Sequence, residues 1–184
     1  MFSHPVDDRT ELRLLQQQHA PELFALVDRH RAHLRAWLPW VDATTEVQDS
    51  IDFIVVSIFT FAQQGPMVCG VWHDGQLCGV IGHNDIDPET RVAKLGYWLG
   101  ADVEGRGVMT KCLRAFLDHA FDLYGLEAVE LRVATENLRS QALADRLGFE
   151  RGDRVPAAER LHDRTVDHLV NVMTRARWLA RRSG

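Results

Sequence analysis

Residues 93–122, AKLGYWLGADVEGRGVMTKCLRAFLDHAFD, constrain the fold more than any other stretch of the chain. The opening segment is short and mostly apolar, with Leu95, Tyr97, Trp98 and Leu99, as befits a strand covered on both faces. From Val108 onward apolar residues recur as adjacent pairs four positions apart: Val108/Met109, Cys112/Leu113, Phe116/Leu117 and Ala120/Phe121. Those pairs form one face of a helix, with Lys111, Arg114, Asp118 and Asp122 largely on the other. Between strand and helix stands Glu104-Gly105-Arg106-Gly107. Glycines entering a helix permit a tight turn and leave its first N–H groups bare. These groups and the helix dipole attract an anion, most often a phosphate. The two glycines alone suit a plain connecting turn equally well.

Composition narrows the class. The 184 residues suffice for one domain with a substantial core. Apolar content of 46% and charged content of 26% are ordinary for a soluble globular chain. A net charge of -5 argues against a general nucleic-acid surface. Cys69, Cys78 and Cys112 are odd in number and sit in apolar segments, so they read as reduced core thiols of a cytoplasmic protein. The polar, acidic start predicts no secretory leader. No apolar run approaches the roughly 20 residues of a membrane span.

Local signals order the rest. Residues 10–15 alternate as a first strand. Pro21 and Glu22 open a helix whose stripe is Leu23, Leu26, Val27, His30 and Leu34, stopped by Pro39. Trp37 and Trp40 beside that break suit either core or a substrate wall. Asp49 or Ser50 is the expected cap of a second helix, which Gly65-Pro66 ends. Residues 67–73 and 76–83 form a hairpin about Asp74-Gly75, and a turn at Asp87-Pro88-Glu89-Thr90 leads into the strand at Ala93. Gly125 closes the long helix. Residues 128–134 form a strand reached by a helical crossover, hence parallel to its neighbour. Asn137 caps a helix over 138–147, closed by Gly148, and two strands follow from Phe149 and over 163–173. The basic tail RARWLARRSG is expected to fray. A ligand belongs at the carboxyl ends of the parallel strands, beside residues 104–110 and 137–140.

Taken together, the Gly-x-Gly loop, Asn137-x-x-Ser140 and Leu147-Gly148-Phe149 resemble the GNAT acyltransferases over roughly residues 10–174. Trp37-Leu38-Pro39-Trp40, Gly96-Tyr97-Trp98-Leu99, Gly105-Arg106-Gly107-Val108-Met109-Thr110, Arg146-Leu147-Gly148-Phe149 and Ala158-Glu159 resemble its branch of ribosomal-protein serine/alanine N-acetyltransferases. The resemblance implies a single acetyltransferase domain over 1–184 of α/β class. Its GNAT-like mixed sheet is mostly antiparallel, with a central parallel strand pair splayed around the cofactor and flanked by about four helices. It implies acetyl-CoA as cosubstrate, no metal, and direct acetyl transfer to an amine, in this branch a protein N-terminal α-amine. A small amine (polyamine, amino acid or antibiotic) as acceptor, and a non-catalytic acyl-CoA-binding module, are the alternatives. A homodimer is compatible with the pattern.

The family's phosphate loop is Gln/Arg-x-x-Gly-x-Gly/Ala. Here Glu104 and Met109 depart from it, and Glu104 sets a like charge near a pyrophosphate. The recognising groups are backbone N–H, so residues 104–110 keep the assignment provided Glu104 points away; Arg106, Lys111 and Arg114 are candidates to offset it.

The chemistry needs a base for the ammonium, an N–H donor for the oxyanion and an acid for the departing thiolate. By resemblance, Tyr97, Trp98 and Leu99 end the strand that binds pantetheine and supplies the donor. The tyrosine acid of many relatives has no counterpart, because Tyr97 is in a strand and Tyr124 at the far end of a helix. The resemblance assigns the acid to Ser140 and the base to Glu159. Helix-start chemistry also explains Ser140 and Asn137, and a solvated carboxylate also explains Glu159. Asn137 is a CoA contact by the same reading. Trp37, Trp40, His83, Asn84 and Asp167 are candidates to line the acceptor side; His168 is a lesser one. His30 and His33 lie three apart on a helix but lack matched further ligands for a metal.

Overall fold

The computed structural model describes residues 3–182. In chain order the elements are β1 (Ser3–Pro5), β2 (Thr10–Leu14), α1 (Ala20–Arg29), α2 (Arg31–Arg35), α3 (Val47–Ala62), β3 (Val68–His73), β4 (Gln76–Asp87), β5 (Val92–Leu99), α4 (Val108–Asp122), β6 (Ala128–Ala134), α5 (Leu138–Leu147), β7 (Glu150–Leu161), β8 (Arg164–Thr174) and α6 (Arg175–Arg182). The strands order as β1-β2-β3-β4-β5-β6-β8-β7. The sheet is mixed and mostly antiparallel, and among the described residues β5 and β6 are its one parallel pair. That architecture matches the expectation from sequence.

Contacts divide the chain into two compact units: residues up to His83 with Tyr97–Cys112, and Asn84–Gly96 with residues from Leu113 onward. In the first unit, α1 carries Pro in its first turn and buries Ala20, Leu23, Leu26 and Val27. A buried cluster joins Leu15, Leu23 and Leu26 to Ile54, Trp72, Leu77 and Val80, and a second joins Val27, Leu34 and Val41. Each such side chain contributes roughly 1.5–3 kcal/mol by leaving water. The β3–β4 turn has Asp74 at φ 52° and Gly75 at φ 78°, the left-handed pair that a two-residue hairpin demands.

In the second unit Asn137 caps α5: its side chain accepts from the Ser140 N–H at 3.1 Å. Gly148 closes that helix at φ 82°. The parallel register runs from Val92↔Ala128 to Leu95↔Leu131 and stops there. β6 continues against β8 as far as Ala134↔His168.

Three expectations need correction. Among the described residues there are six helices, against about four expected. The first helix breaks at His30 (φ -108°, ψ 17°), where one N–H is shared between the carbonyls of Leu26 and Val27, and α2 resumes beyond it. The basic tail does not fray over the described residues: it forms α6. Trp178 is buried and its Nε1 donates to Asp118 at 2.9 Å, while Arg182 bonds Asp118 and Asp122 at 2.8 and 2.6 Å. The polar face of α4 supplies partners that composition alone does not reveal. Finally, α3 is capped by Glu46. Asp49 sits in its first turn, accepting the N–H groups of Thr45 and Glu46 at 2.7 and 3.0 Å, and Ser50 is buried within the helix.

Candidate active site

The loop before α4 belongs to the first unit. Gly105 and Gly107 have φ of 74° and 76°, and no atom lies within 4 Å of where a Cβ would stand on either. These glycines therefore serve conformation rather than packing, since the left-handed region costs other residues roughly 1–2 kcal/mol. The buried Val108 and Met109 fix the helix start, and the Lys111 N–H donating to Gly107 at 3.2 Å begins its ladder. A helix leaves its first-turn N–H groups without intrahelical acceptors, at the positive end of its dipole. Open space over the loop suits an anionic group of some bulk.

The charges around this loop are arranged by pairs. Glu104 Oε1 lies 3.2 Å from His33 Nε2, and Asp102 Oδ1 lies 3.4 Å from His30 Nε2. Lys111 Nζ bonds Asp7 Oδ2 at 2.6 Å. That bond, with the Arg9 N–H, holds the Asp7 carboxyl well below the usual carboxylate range. Arg9 binds Asp74 through Nε and one terminal guanidinium nitrogen, and Arg106 adds to the positive field on Asp74. Of the three basic residues expected to offset Glu104, Lys111 is thus engaged with Asp7. His33 makes a direct contact to Glu104, although its spacing from His30 suggests only a metal ligand.

At the end of β5, Tyr97, Trp98 and Leu99 are half-buried. A side chain on Gly79 would overlap the Trp98 carbonyl and Leu99, so that glycine permits the close approach of β4 to the strand end. The Gly100 N–H donates to Cys78 at 2.8 Å as the strand leaves. Trp98 meets Trp40 with ring centroids 5.9 Å apart. Trp40 is 37% exposed and Trp37 half-buried, so neither belongs to the buried core. His83 is buried on β4. Burial pushes the thiols of Cys69, Cys78 and Cys112 up to about 12, which leaves none of them a nucleophile near neutral pH.

The second unit holds the other candidates. Asn137 and Ser140 are half-buried at the start of α5. Asn84 packs its amide against Gly96, where a Cβ would come within 2.8 Å. Glu159 owes its position to a bulge. Val155 pairs with His168 and Glu159 with Val166, so β7 takes four steps where β8 takes two. The excess includes Pro156 and Ala157, the latter at φ 50°. Asp167 pins the bulge: its carboxylate accepts from the Ala157 N–H at 2.8 Å and from Arg154 at 2.7 Å. Both bonds hold its carboxyl below the usual range. Beyond the bulge Glu159 Oε2 stands 3.4 Å from His168 Nε2, with the carboxylate one-third exposed and the imidazole largely covered. Asp167 and His168 therefore shape and face the Glu159 carboxylate. A bulge that skips two residues leaves no periodic trace in sequence, so that relation was not legible there. Among the described residues no cluster of three or more His, Cys, Asp or Glu is arranged to hold a metal, and no helix is long and apolar enough to cross a membrane.

The acetyltransferase (GNAT) domain family matches residues 9–150, most of the chain. The protein belongs to the GNAT acetyltransferases, and it is an acyltransferase. It is 29% identical over 150 residues to the Bacillus subtilis (strain 168) protein provisionally named ribosomal N-acetyltransferase YdaF, covering 81% of this chain and 82% of that one. It is 25% identical over 170 residues to the ribosomal-protein-serine acetyltransferase of Escherichia coli (strain K12), covering 92% and 94%. The solved structure of RimL, ribosomal L7/L12 alpha-N-protein acetyltransferase, in complex with coenzyme A superposes with a TM-score of 0.90 at 25% identity, covering 94% of this chain and 98% of that one.

Proposed function

We propose that this protein transfers an acetyl group from acetyl-CoA directly to the N-terminal α-amine of a protein, of ribosomal-protein type, in the cytoplasm. The family supplies the reaction class, and the named relatives support the acceptor class. The family match includes residues of both compact units, which supports one functional domain over 1–184. The observation that carries a catalytic reading, rather than mere acyl-CoA binding, is the Glu159 carboxylate held beside His168 by a bulge.

The loop 104–110 holds the pyrophosphate through its N–H groups, with Asn137 a further CoA contact. The strand end at Tyr97, Trp98 and Leu99 pairs with the pantetheine arm and offers an N–H to the oxyanion. Glu159, directly or through one water, takes a proton from the acceptor ammonium. The freed amine attacks the thioester carbonyl, forming the C–N bond. Collapse of the tetrahedral intermediate breaks the C–S bond while the attacking nitrogen gives its second proton to solvent, and Ser140 protonates the departing thiolate before recovering its proton from solvent. The products are an amide, free CoA and one proton. The buried cysteines support this direct route over a thiol-linked acetyl-enzyme. Trp37, Trp40, His83 and Asn84 line the acceptor side, and Asp167 contributes by fixing the bulge.

The test is acetyl-CoA-dependent thiol release across a panel of N-terminal peptides and small amines. Turnover selective for peptides supports the proposal. Selective turnover of small amines moves the acceptor to that class. CoA binding without turnover of any amine leaves a binding module. Ser140→Ala should lower kcat about tenfold with the Kd for CoA unchanged; an unaltered kcat removes the acid role.

A further inference from the structure

Glu104 is an anomaly in a loop built to meet an anion. It stands where the family places Gln or Arg, immediately before Gly105. Like charges within a few ångströms oppose each other, most strongly where water is partly excluded. The side chain of Glu104 is only 25% exposed. The chain nevertheless surrounds this segment with a repeated device. The α1–α2 junction reaches over residues 100–104 and meets both of its nearby carboxylates with imidazoles: His30 at Asp102 and His33 at Glu104. The approach is close enough that a Cβ on Gly100 would come within 2.8 Å of the His30 ring. Leu34, buried in a cluster with Val27 and Val41, anchors α2.

We propose that His33 is a positioning residue for the cofactor loop. It engages the Glu104 carboxylate from α2 at 3.2 Å, so the helix N–H groups after Gly107 meet a phosphate while that acid is held by a partner of its own. The proposal rests on residues 104–110 binding the CoA pyrophosphate. It explains how a chain with an acid at this position keeps an anion-binding loop: the group that engages the acid stands on a different element rather than within the motif. His33 touches no reacting atom, so its effect falls on cofactor affinity and the KM for acetyl-CoA rather than on the acceptor.

The test is a double-mutant cycle read by CoA affinity in calorimetry, with melting temperature recorded for each variant. His33→Ala should weaken CoA binding about three- to fivefold, the size of one partly exposed charge pair. Glu104→Gln should bind at least as tightly as the parent. In the Glu104→Gln background, His33→Ala should cost less than about twofold, because there is no carboxylate left to engage. Steady-state kinetics should show a raised KM for acetyl-CoA in His33→Ala with an unchanged acceptor KM. An equal loss in both backgrounds means His33 acts only as packing and overturns the proposal. So does a His33→Ala variant that binds CoA like the parent. If the parent itself binds no CoA at millimolar concentration, the phosphate-loop reading falls and the positioning role falls with it.

Discussion

The indole Nε1 of Trp178 donates to the Asp118 carboxylate at 2.9 Å, and this bond ties α6 to the polar face of α4. Arg182 shares the same carboxylate oxygen at 2.8 Å. An eight-residue helix is marginal without tertiary partners. Trp178→Ala should therefore destabilise the protein by about 3 kcal/mol, through lost burial and the lost hydrogen bond to Asp118. Trp178→Phe keeps the ring and loses the donor, so about 1 kcal/mol is expected. Urea unfolding measures both. Equal costs would mean that the hydrogen bond carries the whole effect.

Two left-handed glycines should respond differently to alanine. Gly107 stands in open space, so Gly107→Ala costs only the conformational term of roughly 1 kcal/mol. At Gly148 the added methyl also overlaps the guanidinium of Arg181. Gly148→Ala should lower the melting temperature further unless that exposed side chain swings aside. The distinctive outcome is functional: Gly107→Ala should weaken CoA binding while remaining folded, and Gly148→Ala should leave the CoA dissociation constant near the parent's.

Glu159→Gln should lower kcat about 10²- to 10³-fold and leave the KM for acetyl-CoA within twofold, if this carboxylate is the base. A variant as active as the parent would remove the base role. His168→Gln removes the imidazole that faces Glu159 and should lower kcat by less than Glu159→Gln does.

Asp7 makes a pH prediction with a defined sign. Its folded-state carboxyl is lowered by the Lys111 ammonium and then by the Arg9 N–H. The stabilisation is therefore present above the unfolded value near about pH 4 and is lost as pH falls through the lower folded value. Lys111 is more than half exposed, so solvent screening keeps the effect under about 1 kcal/mol. Asp7→Asn should be slightly less stable than the parent at neutral pH. The gap should close progressively on acidification below about pH 4. A constant gap across that range would show that the ion pair contributes nothing to the pH dependence.

The sequence revealed whatever is written in consecutive residues. Asp74-Gly75, Asn137, Gly125 and Gly148 are local signals, and each sits at the turn, cap or helix end that its chemistry favours. The two halves of the cofactor motif were legible for the same reason. Relations between distant residues were not. α6 sets Trp178 and Leu179 among arginines, and acids on α4 bond Trp178 and Arg182. The His33–Glu104 contact joins α2 to a loop with no periodicity to announce it. Glu159 was placed by resemblance, whereas its facing imidazole depends on two residues bulging from β7. Asp49 is a first-turn acceptor rather than the cap, because the helix begins one turn earlier, after Glu46, whose N–H Asp49 accepts.

The interrupted register of β7 has a second effect, unrelated to turnover. β7 is a sheet edge twelve residues long and almost wholly exposed. A flat edge of that length is a template on which another chain can add a strand and seed aggregation. Two register shifts, Pro156, and the arginines at 151, 154 and 160 deny it a regular row of donors and acceptors. The opposite edge, β1, is three residues long and ends in Pro5. Straightening β7 by deleting Pro156 and Ala157 would thus displace Glu159 and also make the protein prone to precipitate, so solubility and the placement of the base depend on the same irregularity.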